Sequence, residues 1–193
     1  MVSISLFEQE LVHHCSPAFA KLKPANLVCF QKQKFPNFDE DYKEYKTKLK
    51  KFGIEIEELC SCDKRHLVLV YQKDALEHQL KRPEILNQLK RYGYPDGDLN
   101  TKLQFLSERL SKTNGFPHEI GLFLGYPLRD VLAFEHYKGE GAKLCGYWKV
   151  YFDVENAKKT FDIFDKCRDK FEERLFSGKT LAQLLEMQLM LTA

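Results

Sequence analysis

Two short segments with the pattern of β-strands, residues 54–60 and 66–71, constrain this fold most, because only the turn residues 61–65 separate them. Segments of this length and spacing predict an antiparallel hairpin. A lone hairpin is marginally stable in water, so it needs further strands or covering helices. We expect further strands at residues 27–30 and 143–152, which would give one small mixed sheet of about four strands.

Amphipathic helices account for most of the remaining chain. Apolar residues recur at helical spacing and predict helices over residues 3–14, 42–52, 74–92 with an interruption at Pro83, 99–114, 118–124, 128–137, 154–175 and 180–191. Helices packed on a small sheet are typical of an α/β (α+β) fold. The chain has 193 residues, which favours a single domain over residues 1–193.

The charge balance limits the classes of partner. The 30 basic and 28 acidic side chains nearly cancel, so we expect neither nucleic acid nor a membrane as a partner. The sequence shows no secretory signal and no apolar segment of membrane-spanning length. The 6 cysteines are therefore interpreted as reduced thiols, and we expect a cytoplasmic protein.

Four segments carry a resemblance to a known family. They are residues 116–131 (FPHEIGLFLGYPLRDV), 145–151 (CGYWKVY), 14–17 (HCSP) and 23–27 (KPANL). In content and order they resemble an uncharacterised bacterial family, domain of unknown function thirty-seven ninety-three, along essentially the whole chain. The sequence departs from that pattern at Ala133, where the family usually has glycine. The resemblance implies no agreed activity, cofactor or catalytic residue.

The segment around Gly125 has the spacing of a helix-turn-helix. Gly121 precedes this turn glycine by four residues and Val131 follows it by six, as the crossing of the two helices requires. The second helix, however, offers Arg129 as its single certain positive charge. Because groove-reading helices carry several basic or amide side chains, a structural helix pair is favoured over a regulator that binds nucleic acid.

The predicted strand 143–152 has a polar face that suits a ligand. Alternation places Tyr147, Lys149 and Tyr151 together, so that an ammonium lies between two phenols. Such a face is suited to a small anionic ligand, and the alternative is a solvent-facing lysine with aromatic neighbours. Gly146 favours the ligand slightly, because a glycine inside a strand can mark a close approach.

Two proline-containing turns carry the candidate catalytic residues. Cys15 is the candidate nucleophile, His14 or His118 the candidate base and Glu119 the residue that would orient it. His14 also continues the apolar stripe of its helix. We expect the two turns to lie side by side in one cleft. The alternative is an inert buried cysteine, a solvated His118 and a Glu119 that complements a helix end.

The sequence offers no further site chemistry. No pair of Cys or His residues has the spacing of a zinc site, so no metal ligand is predicted, and the cofactor is unknown. The best-supported function is binding of a small ligand or cofactor in a cleft near His14, Cys15, His118, Glu119 and Lys149. An enzyme that uses Cys15 and His118 is the first alternative, and a helix-turn-helix-like regulator that binds nucleic acid is the second. Whether the protein is an enzyme stays open at this point.

Overall fold

The hairpin predicted at residues 54–71 is present, and a third strand pairs with it. In the computed structural model, which describes residues 4–112 and 116–192, the strands are β1 (Ala25–Gln31), β2 (Ile54–Ser61), β3 (Arg65–Gln72), β4 (Leu144–Cys145) and β5 (Lys149–Val150). β3 lies between β1 and β2, and both neighbours run antiparallel to it. The mixed fold class, with a small sheet and many helices, is confirmed.

Helices make up most of the described chain. They are α1 (Leu6–Phe19), α2 (Phe38–Lys50), α3 (Lys73–Lys81), α4 (Pro83–Arg91), α5 (Leu99–Lys112), α6 (Ile120–Phe123), α7 (Leu128–His136), α8 (Val154–Phe176) and α9 (Leu181–Thr192). The interruption predicted at Pro83 is the boundary between α3 and α4, where the proline occupies the first turn of a helix. The end predicted near residue 114 lies outside the described residues.

The chain divides into two compact units. The first contains Met1–Ala75 and Phe164–Ala193, and the second contains Leu76–Ile163. A single folding domain over residues 1–193 stays a prediction.

An aromatic cluster fills the core of the first unit. Phe7 of α1 stacks on Phe30 of β1, with ring centroids 4.5 Å apart, and on Tyr45 of α2 at 5.2 Å. Phe171 and Leu185 from the C-terminal segment join the same core. Aromatic pairs of this geometry add stabilisation beyond the apolar area that they bury.

The first helix is longer than predicted. It continues through Ser16 and Pro17 to Phe19, so these residues do not form a turn that ends the helix. Pro17 lies in the last turns, where its missing N–H removes one helical hydrogen bond. The prediction that Cys15 lies at a helix end is therefore wrong, because Cys15 is inside α1.

The strand predicted over residues 143–152 is wrong as a fourth strand of the sheet. β4 and β5 form a separate two-stranded hairpin, in which Leu144 pairs with Val150. At its turn, a Cβ on Gly146 would lie 2.3 Å from the ring of Phe161, so only glycine fits there without movement. Paired residues share a face, so Leu144 and Val150 face the same side in a hairpin as they would in a straight strand. The alternation of apolar residues in the sequence therefore could not distinguish a hairpin from a single straight strand.

Candidate functional site

Cys15, the candidate nucleophile, lies in the first unit and is fully buried. Burial raises the pKa of its thiol far above the usual range, although the nearby charge of Lys23 acts in the opposite direction. Thiol catalysis needs a lowered pKa and access to the substrate. The surroundings of Cys15 favour a packing role, and its catalytic role stays a prediction.

His14 is a neighbour of Cys15 in sequence but lies at the surface of α1. Its Nε2 is 3.6 Å from Oε1 of Glu10, and its ring meets the ring of His13 edge-on at 4.7 Å. Partial burial is the main cause that lowers the pKa of His14, and the nearby charge of His13 lowers it further. A neutral imidazole is thus favoured, and its predicted ligand contact stays a prediction.

The second unit brings two predicted site residues to one aromatic ring. The exposed His118 meets the ring of Phe134 edge-on, with centroids 5.0 Å apart. The Nζ of Lys149 lies over the same ring at 5.7 Å and donates a hydrogen bond of 2.8 Å to the carbonyl oxygen of Gly139. His118 and Lys149 therefore lie near each other, although the ammonium of Lys149 already has an intramolecular acceptor.

Glu119 is buried, with 2% of its surface exposed. Its carboxylate pairs with Nε of Arg109 and accepts a hydrogen bond of 3.3 Å from the hydroxyl of Tyr94. A buried carboxylate with a charged partner and a neutral donor is well satisfied. These contacts connect α5 to the turn before α6, and the predicted orienting role of Glu119 stays a prediction.

The two predicted phenols do not flank Lys149. Tyr147 belongs to the turn of the β4–β5 hairpin, and its ring lies 5.5 Å from that of Phe161. Tyr151 is buried and stacks on Tyr137 at 5.8 Å, while its hydroxyl has no hydrogen-bond partner among the described residues. The predicted arrangement of an ammonium between two phenols is therefore wrong, because residues 146–148 form a turn. Ligand binding by these residues stays a prediction.

A cleft that the sequence did not reveal lies elsewhere in the second unit. Its volume is about 540 Å³, within the range of small-molecule sites. Residues of α4, the α6–α7 turn and α7 line it, and they are Arg82, Ile85, Gly125, Tyr126, Pro127, Leu128, Arg129 and Leu132. We call this the arginine cleft.

The two arginines of the cleft lie at the starts of two helices. Arg82 is the N-cap of α4, and Arg129 is the second residue of α7. Arg82 pairs with Glu84 at 2.5 Å, and Arg129 pairs with Asp153 at 3.5 Å. All four side chains are about half exposed, and such exposed pairs contribute about 0–1 kcal/mol. Both guanidinium groups can therefore exchange their carboxylate partner for a ligand.

Tyr126 connects the cleft wall to the single tryptophan of the chain. Its ring lies 5.4 Å from that of Trp148, and the indole Nε1 donates a hydrogen bond of 2.9 Å to Oδ2 of Asp130. Oδ1 of Asp130 accepts a second hydrogen bond, of 3.0 Å, from the backbone N–H of Tyr151. Asp130 thereby holds the β4–β5 hairpin against the first turn of α7, beside the cleft.

The close crossing predicted for the helix pair is present. A Cβ on Gly121 would lie 2.9 Å from Cγ2 of Val131, and Gly125 has a φ of 77°, which favours glycine. The first helix of the pair, α6, has only four residues, however. Because α7 directs Leu128, Arg129 and Leu132 into the arginine cleft, this face is one wall of a concavity.

The comparison with known families agrees with the resemblance seen in the sequence. A family model described as a protein of unknown function (DUF3793) matches residues 11–185. The chain belongs to the DUF3793 family. No curated protein and no solved structure gives a match to it.

In this DUF3793 protein, the arginine cleft includes part of the segment that carries the family resemblance, residues 125–129. The sequence did carry a signal for the helix starts at this cleft, because a proline precedes or begins each helix that brings an arginine to it. Nothing in the sequence indicated that the two helix starts meet.

Within the described residues, no group of three or more His, Cys, Asp or Glu side chains is placed to hold a metal ion. No described helix combines the length and apolar character needed to cross a bilayer.

Proposed function

We propose that this protein binds a small organic anion in the arginine cleft. The observation that carries the proposal is the convergence of Arg82 and Arg129 on one cavity of about 540 Å³. Charge-assisted hydrogen bonds from arginine to a carboxylate, sulfonate or phosphate oxygen are stronger than neutral ones, and the fork of N–H groups suits such anions.

The helix starts support the same charge preference. α4 and α7 each have nine residues, and both begin at the cleft. The positive ends of their dipoles add to the field of the two guanidinium groups. An anion in the cleft would therefore interact with two side-chain charges and two helix ends.

A small ligand fits the cleft better than duplex DNA does. A helix that reads a major groove must protrude into it. The face of α7 with Leu128, Arg129 and Leu132 instead lines a cleft together with Arg82 and Ile85. We propose the cytoplasm as the location, since each of the six cysteines, all within the described residues, is a free thiol.

Trp148 supplies an assay for binding. Its ring is 5.4 Å from Tyr126, so energy transfer from Trp148 to bound 1-anilinonaphthalene-8-sulfonate should report occupancy of the cleft. We expect one binding site, and we expect the neutral analogue N-phenyl-1-naphthylamine to bind at least tenfold more weakly. The variant Arg82→Gln/Arg129→Gln should bind the sulfonate at least tenfold more weakly, because both charge-assisted contacts to the anion are removed.

Arg91→Gln is the matched control, because Arg91 lies in the last turn of α4 and not in the cleft. It should bind the sulfonate like the wild type. Equal affinity of the double variant and the wild type would overturn the proposal, as would equal affinity for the neutral analogue.

A further inference from the structure

We propose that the ligand of the arginine cleft is an organic monoanion with an apolar body, of which a medium-chain carboxylate is the simplest representative. This inference rests on the proposed function and adds the chemistry of the uncharged part of the ligand. It depends on what lines the cleft between its two arginines and on the acidic partners that those arginines already have.

The lining between the arginines is apolar. Ile85, Pro127, Leu128 and Leu132 contribute hydrocarbon, and Tyr126 contributes an aromatic ring with one hydroxyl. Among the described residues that line the cleft, none has a carboxylate or an amide side chain. Ligands with sugar hydroxyls or base edges need such partners, and their affinity falls where buried polar groups stay unpaired. Hydrocarbon or an aromatic ring needs none.

The acidic partners of the arginines favour a single negative charge. Arg82 is paired with Glu84 and Arg129 with Asp153, so two carboxylates lie at the margin of the cleft. A dianionic phosphate ester or a polyphosphate would be repelled by both of them. A monoanion needs to displace only one carboxylate, and it can keep its apolar body on the wall formed by Leu128 and Leu132.

The apolar body should make affinity depend on chain length. Burial of each additional methylene strengthens binding by about fourfold. The dependence should continue from butanoate to octanoate, for which the cavity of about 540 Å³ has room. A site that recognises charge alone would bind acetate and octanoate equally well.

The experiment is calorimetric titration of the full-length protein with butanoate, hexanoate, octanoate, octan-1-ol, glucose 6-phosphate and inorganic phosphate. We expect affinity to rise by about fourfold per methylene along the carboxylates. Octanoate should bind at least tenfold more tightly than octan-1-ol or either phosphate. Because Leu132 is only partly buried, Leu132→Gln should weaken octanoate binding by about tenfold, whereas Leu132→Met should leave it unchanged.

The outcomes separate this inference from the proposed function. Equal binding of butanoate and octanoate, or tighter binding of glucose 6-phosphate, would overturn the apolar body while leaving an anion site that depends on Arg82 and Arg129. Equal binding of octan-1-ol and octanoate would overturn both proposals. Unchanged octanoate affinity in a folded Leu132→Gln variant would also contradict the inference.

Discussion

Asp130→Asn should destabilise the second unit, although it only replaces one carboxylate oxygen with an NH₂ group. Asp130 has 3% of its surface exposed, and each of its two oxygens accepts one hydrogen bond, from Trp148 and from Tyr151. An asparagine keeps one oxygen but presents an NH₂ group to the other N–H donor. Two donors then face each other, and the backbone N–H of Tyr151 is buried, so water cannot replace an acceptor that it loses.

The magnitude follows from these two contacts. A hydrogen bond to a charged group is worth about 1.5–3 kcal/mol, so the loss of one should lower the free energy of unfolding by about 2–3 kcal/mol. Asp130→Ala loses both acceptors and should cost about 3–5 kcal/mol, which is a large fraction of the stability of a typical domain. Trp148 is partly buried and can turn toward water, so the backbone N–H of Tyr151 should account for the larger share.

Urea unfolding tests this expectation with two probes, the fluorescence of Trp148 and circular dichroism. The single tryptophan reports on the second unit, whereas circular dichroism reports on all helices. Asp162→Asn is the control, since Asp162 is an exposed carboxylate on α8. If Asp130→Asn unfolds within about 0.5 kcal/mol of the control by both probes, the structural role argued for Asp130 is refuted.

Three further perturbations test other parts of the molecule. Gly121→Ala should cost about 1–3 kcal/mol, because its Cβ would lie 2.9 Å from Val131, and adding Val131→Ala should recover part of the loss in urea unfolding. Burial lowers the pKa of Lys23 to about 8, while the unfolded chain keeps that proton to about pH 10. The folded state thus releases the proton first, so the free energy of unfolding should rise by about 1 kcal/mol from pH 8 to pH 9. Lys23→Met should remove that rise, and an unchanged slope in chemical denaturation would contradict the assignment. Glu84→Gln removes a competitor for Arg82 and should tighten binding of the anilinonaphthalene sulfonate, so weaker binding in the fluorescence titration would oppose the proposed exchange of partners.

The elements that the sequence predicted well are those defined by local signals. The hairpin over residues 54–71 and the break at Pro83 depend on residues that are neighbours in the chain. The pairing of β1 with β3 depends instead on contacts between residues distant in sequence, such as Val28 with Val68. The strand predicted at residues 143–152 was wrong because the alternation of apolar residues is the same in a hairpin, where Leu144 pairs with Val150, as in a single strand.

The candidate site was harder to predict than the fold. Residue type identified Cys15 and Glu119 as reactive, but their roles depend on burial and on partners such as Arg109, which helical spacing does not reveal. His118 and Lys149 both contact the ring of Phe134, and the predicted cleft that they would share with Cys15 stays a prediction. The arginine cleft was missed because each arginine alone has the pattern of an ordinary solvated charge.

The first unit is discontinuous in the chain, and this has a consequence for biosynthesis. Its core contains Phe7 and Leu11 from the start of the sequence together with Phe171, Leu175 and Leu185 from the end. During translation, the N-terminal aromatic cluster must wait for all of residues 76–163 to be made before its last packing partners arrive. At about 5–20 residues per second this interval lasts about 4–18 seconds, during which the nascent chain exposes an apolar surface that chaperones can cover.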